Sequence, residues 1–311
     1  MKHLFIINPV AGKYDHTEEI KAKLEAYKDE FDIEIAVTTA ARDGEDIVRK
    51  AAASGEELRV YACGGDGTFN EVASAAVDFE NVAVTHVPLG SGNDYIKLFS
   101  DGGASFSDIE RLMRDSDEVR FDAIRCNDMV GANICSVGID ARIGTEIAKY
   151  KRLPLVSGSM AYYISTLVNV IKGITEHYVV EVNGKVIDSK FTLICVANGR
   201  CYGSSFRPVP EAQPDDGMLD VLTVKPVSRL QVAQVIGKYA DGQYRQLPQL
   251  VDHEQCTEIT ITADKDMVVN VDGEALVTKK VHMTIMPKAL RVFFPRGLDW
   301  SGKCKEQLAV N

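Results

Sequence analysis

The sequence predicts an α/β domain with a parallel sheet, followed by a largely antiparallel β domain that forms a sandwich. Three observations carry this. Between Leu4 and Phe99, short apolar runs alternate with helical patterns in four strand-then-helix repeats. Such alternation builds a parallel, Rossmann-like sheet covered on both faces. From about Val119 the pattern turns to strand-like runs, with Asn183–Gly184 as a two-residue hairpin signal. The length, 311 residues, suits two domains.

Leu4–Ile7 is the first strand and ends at Asn8–Pro9. A helix over 15–29 places Ile20, Leu24 and Tyr27 on one side. Ile33, Ile35 and Val37 alternate as a second strand that closes at Thr38–Thr39. A helix over 46–54 turns Ile47, Val48 and Ala51 inward. The run Leu58–Ala62 is a buried strand that leads into Cys63-Gly64-Gly65-Asp66-Gly67-Thr68-Phe69-Asn70-Glu71, where Phe69, Val72, Ala73 and Ala76 share a helix face. Val82–Val87 is a fourth strand, Pro88–Asp94 its exit loop, and Tyr95, Ile96 and Phe99 begin the next helix. In a parallel sheet, ligands gather at the carboxyl ends of the strands. The Asn8, Thr39, Gly65 and Ser91 loops all lie at that edge.

In the second half, strands are expected over 119–126, 129–138, 178–183, 185–196, 218–225, 257–262, 267–271, 281–286 and 289–294, with helices over 159–172 and 228–238. The domain boundary falls near Phe121–Asp122, giving an α/β domain over 1–121 and a β-rich domain over 122–295. The segment 296–311 is a candidate to pack back on the first domain.

The composition is that of a soluble globular protein, 45% hydrophobic and 26% charged. A net charge of −10 argues against a nucleic-acid partner or a broad polybasic membrane surface. Seven cysteines, odd in number and without a C-x-x-C pair, fit a reducing cytosol better than a disulfide framework. The apolar part of the N-terminus is too short for a signal peptide, and no window reaches the length of a transmembrane helix. A cytoplasmic location is expected.

The glycines of Gly64-Gly65-Asp66-Gly67 sit at a strand-to-helix turn, where a ligand can approach the backbone closely and free N–H groups favour an anion. This reads as a phosphate cradle, with Asp66 acting on a metal ion or a phosphate; taken alone it also reads as an ordinary tight turn. It lacks the lysine spacing of a P-loop and the third glycine of a dinucleotide fingerprint.

The stretch resembles the GGDGTxNE signature of the diacylglycerol kinase catalytic family, which includes sphingosine kinases and bacterial soluble lipid kinases. NAD kinases and phosphofructokinases share a shorter GGDG core. Further stretches resemble family motifs in order. Asn8-Pro9-Val10-Ala11-Gly12 is similar to NPxxG, and Pro88 to Asp94 to PxGTxND, with Ser91 where Thr is usual. Asn133 to Ala141 resembles N..S.G.DA. Ala197-Asn198-Gly199 with Tyr202-Gly203 resembles ANG..YG, although Ser204 and Ser205 replace the glycines that usually follow. Asp215 to Asp220 resembles DDGxLD, and Asp272-Gly273-Glu274 resembles DGE.

The resemblance implies an ATP-dependent lipid kinase of phospholipid biosynthesis. A β domain would form the other wall of the cleft, and Mg²⁺ would be the metal. By position, the nucleotide residues would be Asn8, Pro9, Val10, Ala11, Gly12, Thr39, Gly64, Gly65, Asp66, Gly67, Thr68, Asn70, Glu71, Ser91, Asn93 and Asp94. A structural magnesium would take the Asp216 carboxylate and the carbonyls of Gln213 and Met218. The catalytic candidates are Asp66, helping to hold the catalytic metal, and Asp272 and Glu274, either of which can take or orient the hydroxyl proton. A lipid acceptor implies transient contact with the membrane surface, and a homodimer stays open. Met160, Tyr163, Ile164, Leu167, Val168 and Ile171 form an apolar helical stripe, and Arg142, Lys149, Lys151 and Arg152 a small basic group. Both read first as ordinary core and solvated face. Two other functions remain: a kinase of a soluble substrate such as NAD, and a non-catalytic lipid-binding regulatory protein on the same fold.

Overall fold

The structure, a computed structural model, describes residues 1–143, 146, 173–203 and 206–301. The chain divides into two compact units. Unit 1 takes Met1–Ala123, Gln213–Asp216 and the chain from Met286 onward; unit 2 takes Ile124–Ala212 and Gly217–Ile285.

Unit 1 alternates strand and helix: β1 (Lys2–Ile7), α1 (Thr17–Glu25), β2 (Asp32–Val37), α2 (Asp43–Ala52), β3 (Leu58–Gly64), α3 (Asp66–Ala76) and β4 (Val82–Pro88). α4 (Ile109–Arg114) and the start of β5 (Ser116–Cys126) follow. β2, β1, β3 and β4 pair in that order, every pair parallel. The last part of a long strand, β14 (Glu274–Pro295), adds to β4 in parallel through Arg291↔Ala83 and Val292↔Val84. The inner strands are continuous apolar runs because both their faces are covered; Leu4 to Ile7 are fully buried. The edge strand β2 shows the half-exposed pattern of a strand with one wet face. Phe5 stacks on Tyr61 at 4.0 Å, and Phe293 of β14 meets Tyr61 edge-on at 5.0 Å.

Two histidines lie in this core. His3 Nδ1 is 2.7 Å from the Tyr61 hydroxyl, and His86 of β4 is equally buried. Burial lowers the pKa of each to about 4, with nearby Arg59 adding to the effect at His3. Between pH 6.5 and about 4 the unfolded chain therefore binds protons that the folded chain refuses. Stability should fall as pH drops through that window, by about 1.4 kcal/mol per pH unit for each histidine. Urea midpoints followed by circular dichroism should show the fall, and a shallower one in His3→Phe. A midpoint that stays level would exclude both histidines.

Several expected elements differ. The helix after Pro88–Asp94 is only a 3₁₀ turn, Tyr95–Leu98. It stops because Phe99 takes extended backbone and turns into the core, 4.9 Å from both Phe106 and Phe294. α1 is shorter than 15–29: Asp15 Oδ1 accepts from Thr17 N in a turn that precedes the helix, and turns replace its last residues. The stretch 289–294, expected in the β domain, pairs with β4 in unit 1. Gln213–Asp216 also belongs to unit 1, where Asp122 N donates to Pro214 O at 2.6 Å.

Unit 2 is antiparallel throughout its described pairings. It contains β6 (Met129–Gly131), β7 (Ile134–Gly138), β8 (Glu176–Val182), β9 (Lys185–Phe191), β10 (Leu193–Ala197), β11 (Leu219–Val224), β12 (Val251–Cys256), β13 (Glu258–Val271) and the first part of β14. The order is β12-β11-β10-β7-β13-β14, with β8 also on β13 and β9 on β8. Val137, Val180, Val196, Val221, Ile259 and Val269 form its apolar centre. α5 (Arg229–Ala240) opens on a capping box in which Ser228 and Gln231 cap each other's backbone N–H. Arg142, expected on a solvated basic face, is instead bound to Glu176 and to the Gly173 carbonyl. The expected helix over 159–172, its apolar stripe, and Lys149, Lys151, Arg152, Ser204 and Ser205 lie outside the described residues.

Candidate active site

In unit 1 the loops after β1, β3 and β4 lock into one another. Asn8 N donates to Cys63 O at 2.9 Å, and Asn8 Nδ2 donates to Thr68 Oγ1 at 2.9 Å. Asn8 Oδ1 in turn accepts from Val10 N at 3.1 Å. Gly12, at φ +78°, lies so close to the β4 exit loop that a Cβ would stand 2.2 Å from Leu89 O. A Cβ on Gly90 would stand 2.6 Å from Gly65 Cα. No larger residue fits these two approaches, which explains the glycines of the first and third motifs.

The Gly64 carbonyl faces inward and accepts from Leu89 N at 2.8 Å, Gly90 N at 3.2 Å and His86 Nε2 at 3.1 Å. α3 begins immediately afterwards, with Gly65 extended at φ −98°. Gly65 O accepts from Phe69 N. The N–H groups of Gly65 and Gly67 find no partner among the described residues. Unpaired amides at the start of an eleven-residue helix carry the partial positive charge that favours an anion.

The side chains expected to touch nucleotide fall into two groups. Thr68 and Asn70 are buried, while Val10, Ser91 and Gly67 are exposed. Asn93, left-handed at φ +51°, donates through Nδ2 to Gly90 O at 2.8 Å. Asp94 Oδ1 pairs with Lys97 Nζ at 2.6 Å. Two others, Asp66 and Glu71, hold backbone, while Thr39 is itself held by a carboxylate. Asp66 Oδ1 accepts from Asp94 N and Tyr95 N and so caps the 3₁₀ turn. Its pKa is raised, first by burial and then by the Asp94 carboxylate, with the amide donors opposing. Glu71 accepts from Arg42 N at 2.9 Å and Gly44 N at 3.1 Å, capping α2. Thr39 binds Asp43 Oδ2 through both its N–H and its hydroxyl. Sequence reasoning missed Asp43, Lys97 and His86; none lies in a glycine motif, and each acts through a partner, Asp43 through Thr39, Lys97 through Asp94 three residues before it, and His86 through the Gly64 carbonyl of β3.

In unit 2 three motif stretches meet. Asp272 sits at φ +49° in the turn between β13 and β14. Its carboxylate accepts from Ala132 N at 2.6 Å, Asn133 N at 3.1 Å and Ile134 N at 2.7 Å. Asn198 Nδ2 donates to Ala132 O at 2.9 Å, and Asn133 Nδ2 to Cys201 O at 2.6 Å. Glu274 is exposed. Tyr202 also donates to Asp140 Oδ2 at 3.0 Å, where burial pushes the carboxyl up to about 7.

For the expected magnesium ligands, Gln213 and Asp216 fall in unit 1 and Met218 in unit 2. The Gln213 side-chain amide donates to Ser301 O at 2.9 Å, and Asp216 is exposed beside Gly217 at φ +74°. Among the described residues no three His, Cys, Asp or Glu side chains gather. A carboxylate with backbone carbonyls fits a hard oxygen-seeking cation such as Mg²⁺. Asp220, the last residue of that motif, pairs through Oδ1 with His253 Nε2 at 2.7 Å. Among the described residues no helix is long and apolar enough to cross a membrane.

Residues 2–126 match the model of the diacylglycerol kinase catalytic domain, and 133–294 that of the YegS C-terminal NAD kinase beta sandwich-like domain. A Xanthomonas oryzae protein named "Probable lipid kinase YegS-like" is 28% identical over 283 residues, 87% of this chain and 89% of its own length. The crystal structure of a diacylglycerol kinase from Bacillus anthracis superposes with a TM-score of 0.66 at 19% identity, covering 94% of this chain and 96% of that one. A further chain from that organism superposes at 0.72 with 22% identity, covering 94% of each. At such identities the superpositions establish the fold. On the two family matches, the chain belongs to the diacylglycerol kinase catalytic family and carries the YegS-type C-terminal β domain.

Proposed function

We propose that this protein transfers the γ-phosphoryl group of ATP to a hydroxyl of a lipid such as diacylglycerol. The observation that carries the reading is the pair of unpartnered amides, Gly65 and Gly67, at the start of α3, set among the Asn8 and Ser91 loops. Phosphoryl transfer asks a protein mainly to position groups and to offset charge. Backbone amides at a helix N-terminus do this without a lysine. Asp272, held by three amides, is the better oriented of the two candidate carboxylates and would orient the acceptor hydroxyl. Mg²⁺ would neutralise phosphate charge. A labelled-ATP transfer assay across diacylglycerol, sphingoid, polyprenol and NAD acceptors tests the reading. Label in NAD alone, or in none, would overturn it. With a lipid acceptor the protein would meet a membrane surface transiently from the cytoplasm.

The Asp216 carboxylate would serve a structural Mg²⁺. Asp216→Ala is expected to lower the melting temperature and to abolish any rise in it on adding Mg²⁺. If the variant melts like the parent both with and without Mg²⁺, the ligand assignment is wrong.

A further inference from the structure

His86 is a buried titratable group that the proposed chemistry leaves unused. It is 1% exposed, and its ring lies over Phe69 at 5.4 Å. Nδ1 is buried without a partner among the described residues, a loss that a phenyl ring at this place would avoid. Nε2 lies 3.1 Å from Gly64 O, which can only accept, so the single proton of the neutral ring sits on Nε2. A peptide unit is planar and trans, so its C=O and N–H point in opposite directions. Donors that draw the Gly64 carbonyl inward therefore turn the Gly65 N–H outward, and that N–H has no partner among the described residues.

We propose that His86 is a positioning residue for the phosphate loop: its Nε2–H holds the Gly64 carbonyl and thereby aims the Gly65 amide at a bound phosphate. The inference rests on reading this loop as a nucleotide cradle. Leu89 N and Gly90 N bind the same oxygen, so the loss of His86 loosens the peptide and does not free it. The effect is correspondingly moderate.

The test compares the parent with His86→Phe and His86→Gln, by calorimetric titration with Mg·ATP and by thermal melting. Phe keeps the aromatic packing and removes the donor; Gln keeps an N–H at nearly the same reach. The Phe variant is expected to melt at or above the parent temperature while binding ATP about tenfold more weakly, the size of one lost hydrogen bond. The Gln variant should recover most of that affinity. With an active preparation, the loss should appear in KM for ATP more than in kcat. Parental ATP affinity in His86→Phe would overturn the proposal. So would a Phe variant whose melting temperature falls along with its affinity, the behaviour of a plain core residue. A parent that binds no ATP would overturn the nucleotide reading itself, an outcome distinct from a failure confined to His86.

Discussion

Asp272→Asn is expected to lower kcat for phosphoryl transfer by about 10²–10⁴-fold, the range of a lost general-base contribution, and to lower the melting temperature as well. Both effects come from one geometry. The carboxylate accepts from three successive amides, at Ala132, Asn133 and Ile134. An amide side chain offers one acceptor oxygen and turns N–H donors toward that row of N–H donors. Each amide left unsatisfied costs about 1–3 kcal/mol. The same bonds hold the side chain in one orientation, which a group that receives or directs a hydroxyl proton requires. Glu274→Gln removes an exposed carboxylate, and its effect should stay within about tenfold, that of a surface charge rather than a catalytic group. Steady-state kinetics with the acceptor lipid, beside melting curves, would check both. A folded Asp272→Asn with parental kcat would mean that the DGE turn does not handle the proton. A large loss in Glu274→Gln alone would move the role to that residue.

Gly67→Ala is expected to move stability and binding in opposite directions. A Cβ there meets nothing within 4 Å, and Gly67 lies in the first turn of α3. Alanine in place of helical glycine stabilises by up to about 1 kcal/mol. Yet the open space in front of this residue is what an approaching phosphate would use. Displacing the phosphate from one amide, a bond to a charged group, should weaken ATP binding about 10- to 100-fold. The larger Gly67→Val should abolish it. Calorimetric titration beside a melting curve reads both signs together. Undiminished ATP affinity in a folded Gly67→Ala would remove the cradle from this loop.

The sequence made the strands of unit 1 legible because apolar runs such as Leu58–Ala62 have few other stable fates in a globular chain. The loops were legible because glycine at fixed spacing records where backbone comes close to backbone, as at Gly12 and Gly90. The division of labour among polar residues was not. Asp66 and Glu71 look like ligand-binding groups in a motif, but their oxygens cap elements 28 and 29 residues away. A sequence does not show which distant amides lack a partner. The 3₁₀ turn at Tyr95 was read as a helix for a similar reason: Phe99 obeys a core formed by nearby Phe106 and by Phe294, far along the chain. The membership of 289–294 in unit 1 depends on a parallel partner some two hundred residues earlier, with Arg291 opposite Ala83.

That last pairing governs the order in which the protein can be made. β4 receives its neighbour, and Tyr61 its edge contact with Phe293, only after the ribosome has passed Pro295. By then the whole of Ile124–Ile285 has been synthesised, and most of it belongs to unit 2. A nascent chain generally folds from its N-terminus as domains emerge. Here the first unit to begin is the last to be completed. Until then one side of β4 and the core behind Tyr61 stay open.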